Sequence, residues 1–112
     1  MRAELLKGHL DMLLLAVLAD EPKHGYAVIA ELHQRSNQVL DLPDGTVYPA
    51  LHRLLRAGLL ASDWTTVGGR RRRVYQLTPA GRKALVDQQR TWQGFSGAVQ
   101  SILKGVPWPS PS

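Results

Sequence analysis

Two runs rich in β-forming residues, LLASDWTTV and RRRRVYQL, flank Gly68 and Gly69, and a Thr78-Pro79 step follows them directly. No other stretch limits the fold of this chain as strongly. A Gly-Gly pair readily takes the positive φ values that a two-residue hairpin turn needs. Thr78 can cap a helix that starts at the pre-organised Pro79. One hairpin must therefore precede a helix, with Tyr75 and Leu77 on the strand face that anchors it in a core. Its tip carries Arg70, Arg71, Arg72 and Arg73, four adjacent like charges that repel one another unless something negative lies against them.

The rest of the chain reads as helix. From Glu4 to Leu18, the residues Leu6, Leu10, Leu13, Leu14, Val17 and Leu18 recur at three- and four-residue steps, which marks one helical face. DEPKHGY breaks that pattern with a proline and a glycine. A second helix is expected from about His24 to Ser36, burying Val28, Ile29 and Leu32. The third lies in DGTVYPALHRLLRAG, where Asp44 or Thr46 can cap the start, Pro49 is tolerable near the first turn and Gly58 ends the helix. Its apolar side is Val47, Leu51, Leu54 and Leu55. Thr46, Tyr48, Pro49, His52, Arg53 and Arg56 fall on or near the other.

Three helices, a hairpin and a last helix are the element order of a winged helix-turn-helix domain, mainly α with a small β-hairpin. In that architecture the third helix enters the major groove of DNA and the hairpin, or wing, lies over flanking backbone or minor groove. Winged helices also serve as plain protein-protein interaction modules or bind RNA, so element order alone leaves the function open. The charge distribution favours DNA. Of the 112 residues, positions 44 to 90 hold nine Lys or Arg against Asp44, Asp63 and Asp87, while the remainder has five bases against six acids. The excess thus falls on the third helix, the wing and the start of the last helix, as a polyanion-binding face requires.

Several classes are disfavoured. The chain has no cysteine, which removes disulfides, thiolate metal sites and a cysteine nucleophile. His9, His24, His33 and His52 show no metal-ligand spacing, and no serine sits in a nucleophile elbow. The longest apolar run, Met12 to Ala19, is too short for a membrane span. The expectation is a cytoplasmic, non-enzymatic protein with no cofactor, no metal and no membrane association.

LLKGHLDMLLLAVLADEPKHGYAVIAEL, DLPDGTVYPALHRLLRAGLL and GGRRRRVYQLTPAGRKAL together resemble the PadR family of bacterial transcriptional regulators, from residue 5 to about 103. HGY, GTVYPALxRLxxAGLL and GGRxxxxYxLTxxG at these separations are far more specific jointly than any one piece. The resemblance is to the subgroup in which a single long helix follows the wing. It implies a homodimeric repressor on a palindromic operator, often its own promoter, released by a small molecule or another signal. Leu55 stands where the family commonly has an acidic residue, so a charge pair other members can form from the third helix cannot form here.

Residue roles follow. Tyr48 can pack against the second helix, but its polar-face position and the resemblance favour a phosphate or base contact. Thr46, Pro49, His52 and Arg53 share that side, where arginine can read guanine edges and Thr or His can contact backbone or base. Arg56, further along, can be merely solvated. Arg70 and Arg71 are expected on phosphate or in the minor groove. Lys23, His24 and Tyr26 are candidates for positioning phosphates, with core or capping roles open to His24 and Tyr26.

The last helix, expected to about Lys104, spans about 37 Å at the standard rise and outruns a compact body. Leu85, Trp92, Phe95, Val99, Ile102 and Leu103 form a stripe interrupted by Gln88, which a second copy can cover, with Leu10 and Leu14 of the first helix joining the contact. Trp92 has two readings. It is an interface tryptophan or, as the resemblance implies, the wall of a pocket for a flat, hydrophobic or aromatic effector, beside Gln88 and Phe95. The expected organisation is a DNA-binding domain over 1–78, a dimerisation helix over 79–105 and a disordered tail over 106–112.

Overall fold

The computed structural model describes residue 6 and residues 8–107. Its elements run α1 (Leu10–Val17), β1 (Lys23–His24), α2 (Gly25–Arg35), α3 (Asp44–Arg56), β2 (Leu60–Val67), β3 (Arg70–Leu77) and α4 (Pro79–Leu103). The core gathers Leu14, Leu15 and Leu18, Val28 and Leu32 of α2, Val47, Leu51 and Leu54 of α3, and Leu60 and Tyr75 of the sheet. Apart from Leu15, which the apolar spacing did not mark, the helical members come from the faces expected from periodicity, and Tyr75 comes from the expected strand face. Leu55, in place of an acid, lies half-buried against the same cluster.

Three features differ from the expectation: the first helix, the sheet and the cap of α3. The first expected helix is interrupted: Leu6 is helical, but Gly8 adopts φ 86°, the His9 N–H closes a turn on the Leu6 carbonyl at 2.8 Å, and α1 begins only at Leu10. Glu4, where it was expected to begin, lies outside the described residues, as do 108–112 of the tail. The sheet has a third strand: β1 pairs antiparallel with β3, Lys23 opposite Tyr75 and His24 opposite Val74, giving the order β1-β3-β2.

The hairpin itself is as read. Val67 faces Arg70 across Gly68 and Gly69, whose φ values of 57° and 78° are both left-handed. These are the signs a type I′ turn requires. At the root of the wing, Thr78 caps α4 by accepting the Gly81 N–H at 3.0 Å. The same hydroxyl donates to the Gly58 carbonyl at 2.7 Å. Gly81 is buried, and a Cβ there would collide with the Leu59 carbonyl.

α3 is capped differently from the expectation. Pro43 occupies the cap without a side-chain bond, and Asp44 is the first helical residue, where its carboxylate complements the helix dipole. Pro49 sits in the second turn, so the Gly45 carbonyl lacks the usual donor four residues on.

Candidate nucleic-acid interface

The second turn of α3, the start of α2 and β3 meet at one cleft of about 260 Å³. His24, Tyr26 and Tyr48 line it together with Arg70 to Arg73. The charge of the wing and one side chain of the third helix, Tyr48, therefore meet at the same cleft. The Tyr48 ring lies over Gly25, leaving no room for a side chain there, and meets Tyr26 edge-on at 6.2 Å. Of the two roles open to Tyr48, packing against the second helix is thus present in the structure. Burial, then the neighbouring Tyr26, raises the Tyr48 phenol above its ordinary value, with Arg72 pulling the other way. It remains a neutral hydroxyl near neutral pH, able to donate to an anion.

The exposed spine of α3 is Gly45, Pro49, His52 and Arg56, at four-, three- and four-residue steps. Arg56, for which a merely solvated role was open, lies on this spine, and Gly45 was not singled out. The helical repeat itself is the signal that finds both. Thr46 is half-buried at one flank. Arg53 is exposed at that flank and ion-paired with Asp11 of α1, away from the cleft.

Lys23 must be corrected. It is 7% exposed, and its ammonium donates to the Val17 carbonyl at 2.9 Å and to Asp20 at 2.6 Å, with Glu31 at 3.7 Å. A lysine held inward by two carboxylates cannot reach a phosphate; its side chain ties α1 to α2. Its bond holds the Asp20 carboxyl below the usual range. His24 serves as the α2 cap, its Nδ1 accepting the Ala27 N–H at 3.2 Å. Tyr26 is exposed.

On the wing, Arg70, Arg71 and Arg72 make no ion pair among the described residues. Arg73 donates through Nε to Ser62 Oγ at 2.9 Å. Trp64, which sequence reasoning passed over, lies under the Arg71 guanidinium at 4.9 Å and near that of Arg73 at 6.0 Å.

The stripe of α4 divides. Leu85 packs against the protomer core, whereas Trp92, Phe95, Ile102 and Leu103 are exposed and Val99 is half-buried. Leu10 is half-buried, but Leu14 is fully enclosed in the core, so it is corrected out of any contact with another chain. Gln88, Trp92 and Phe95 come together with His9 and Met12 around an open apolar cavity of about 400 Å³. His9 meets Trp92 edge-on at 5.1 Å.

A helical trio whose third member shares a cleft with an arginine-rich hairpin defines a winged helix-turn-helix protein, the kind of fold with which transcription regulators hold DNA. Residues 14–87 match the transcriptional regulator PadR-like family, and the chain belongs to that family. It is 43% identical over 81 residues to Transcriptional regulator Rv3488 of Mycobacterium tuberculosis, covering 72% of this chain and 73% of that one. A PadR family transcriptional regulator from Eggerthella lenta superposes with TM-score 0.79 at 32% identity, over 91% of this chain and 88% of that one. A transcriptional regulator from Clostridium thermocellum shares the fold at TM-score 0.84 and 22% identity, over 91% of this chain and all of the other. The family is one of regulators rather than enzymes. Among the described residues no helix is long and apolar enough to cross a membrane.

Proposed function

We propose that this chain is a cytoplasmic homodimeric repressor that binds a palindromic operator, with α3 in the major groove and the wing on the flanking backbone or minor groove. The observation that carries the reading is the shared cleft, lined by Tyr48 of α3 and by Arg70 to Arg73 of β3. Arginines without acidic partners beside a helix with an exposed polar spine suit a phosphate-lined groove. His52, Pro49 and Arg56 would face base edges. Thr46 and Arg53 would flank them, with Arg53 leaving Asp11 to do so. Tyr26, His24 and Tyr48 would position the backbone.

Pairing through the outer half of α4 supports the palindrome. Phe95, Ile102 and Leu103 are exposed by 59%, 77% and 56%, apolar surface that a second copy can cover. Two-fold symmetry then sets two recognition helices about one DNA turn apart. The apolar cavity beside Trp92 supports release by a small hydrophobic or aromatic molecule. The division into a DNA-binding unit over 1–78 and a pairing helix over 79–105 belongs to the same proposal.

Selection of bound fragments from random duplex DNA at about 0.15 M salt tests the reading. A two-fold symmetric sequence should emerge, and affinity should fall with salt at a log-log slope of about −5 to −7. Weak binding with no enriched sequence would point to an interaction module, and preference for structured RNA of equal length to an RNA binder.

A further inference from the structure

Trp64 is 57% exposed on β2, beyond the reach of the core. Its position in the ladder explains it better than packing does. Trp64 stands directly opposite Arg73, and Thr66 opposite Arg71, so all four side chains share one face of the hairpin. The Arg71 guanidinium lies 4.9 Å from the indole centroid and that of Arg73 lies 6.0 Å away. One ring thereby meets two cations from the same strand. Arg73 is tied further by its bond to Ser62 and its approach to Tyr75 at 6.0 Å.

A guanidinium over an aromatic ring uses its face, leaving its N–H edges free. Those edges are what a phosphate takes in bidentate fashion. The negative face of the indole also offsets part of the repulsion among neighbouring arginines. We infer that Trp64 is a positioning residue of the wing, which holds Arg71 edge-outward and steadies the Nη edge that Arg73 keeps beyond its Ser62 bond, so that both meet the nucleic-acid backbone without first being immobilised. The inference rests on the DNA-binding reading above. It assigns Trp64 no contact with DNA of its own.

Full-length wild type, Trp64→Ala, Trp64→Phe and Arg71→Gln are compared on random-sequence duplex DNA across a salt series. In parallel, ¹⁵N relaxation of arginine Nε–H groups is recorded in the free proteins. Trp64→Ala should bind about five- to twentyfold more weakly with an unchanged salt slope, because the same phosphates are still neutralised. Trp64→Phe should recover most of the loss. Arg71→Gln should flatten the slope by about one. Arg71 should become mobile in free Trp64→Ala and stay ordered in Trp64→Phe, while Arg73, still bonded to Ser62, should change less. Trp64→Leu, apolar but without an aromatic face, should behave as Trp64→Ala and replaces it should the alanine variant fail to fold.

Unchanged Arg71 order in Trp64→Ala, affinity within about twofold of wild type, or a slope flattened as in Arg71→Gln would each overturn the inference. Absence of duplex binding by the wild type would instead remove the functional reading, and with it the phosphate role. The relaxation data would still decide whether the ring holds the arginines.

Discussion

Gly25 and Tyr48 show how a residue's meaning depends on a partner distant in sequence. The ring of Tyr48 occupies the space a side chain at position 25 would need. Gly25→Ala should therefore cost about 1–3 kcal/mol of stability, read as a lower urea midpoint. Combined with Tyr48→Ala, the two changes should be less than additive, since removing the ring restores the space. An alanine at 25 that leaves the midpoint unmoved would disprove the contact. HGY is visible in the sequence, but the reason for its glycine lies 23 positions further on and comes into view only when α2 and α3 pack. Lys23 misled for a related cause, because a cation near a helix start looks available until Asp20 and Glu31 are seen to enclose it. Trp64 was within reach of counting. Once Gly68 and Gly69 are taken as the turn, stepping three residues outward from the Val67–Arg70 pair sets it opposite Arg73.

At the level of elements, local signals carried furthest where they were strongest. The Gly-Gly hairpin and the Thr-Pro start of α4 depend on neighbours in sequence, and both stand where they were expected. β1 has two residues, too few for any pattern, and exists because β3 offers an edge. The break before α1 turns on one glycine that the apolar periodicity runs straight through. The outer half of α4 has an apolar face with little of its own protomer to rest on. Ile102→Asp with Leu103→Asp should weaken self-association at least tenfold by removing about 1.5–3 kcal/mol of burial per side chain, as sedimentation equilibrium would show. The helix content of the variant should hold, because neither residue touches the protomer core. A wild-type chain that sediments as a monomer would sink the pairing argument.

For the whole molecule, the division of charge along the chain was legible and its geometry was not. The basic middle segment does fall on α3 and the wing, yet Arg53 turns toward α1 while Tyr48 turns toward β3. Helical spacing places both on a polar side without saying which flank meets which neighbour. Tyr48 and Tyr75 also tie stability to pH, because burial raises both phenols above their ordinary value. Above that value the unfolded chain sheds these protons while the folded chain keeps them, so stability is fully present below about pH 10 and declines as pH rises through the raised values. Urea unfolding between about pH 9 and 11 should show the decline, and it should be shallower in Tyr48→Phe. A flat profile would contradict it. Thr78, finally, has a mechanical consequence. One hydroxyl fastens the loop that ends α3 to the first turn of α4, and the wing returns into that same knot. The long helix is thus joined to the parts that face the groove by a riveted joint and not by a tether, so a tilt imposed at its far end would swing them as a lever does.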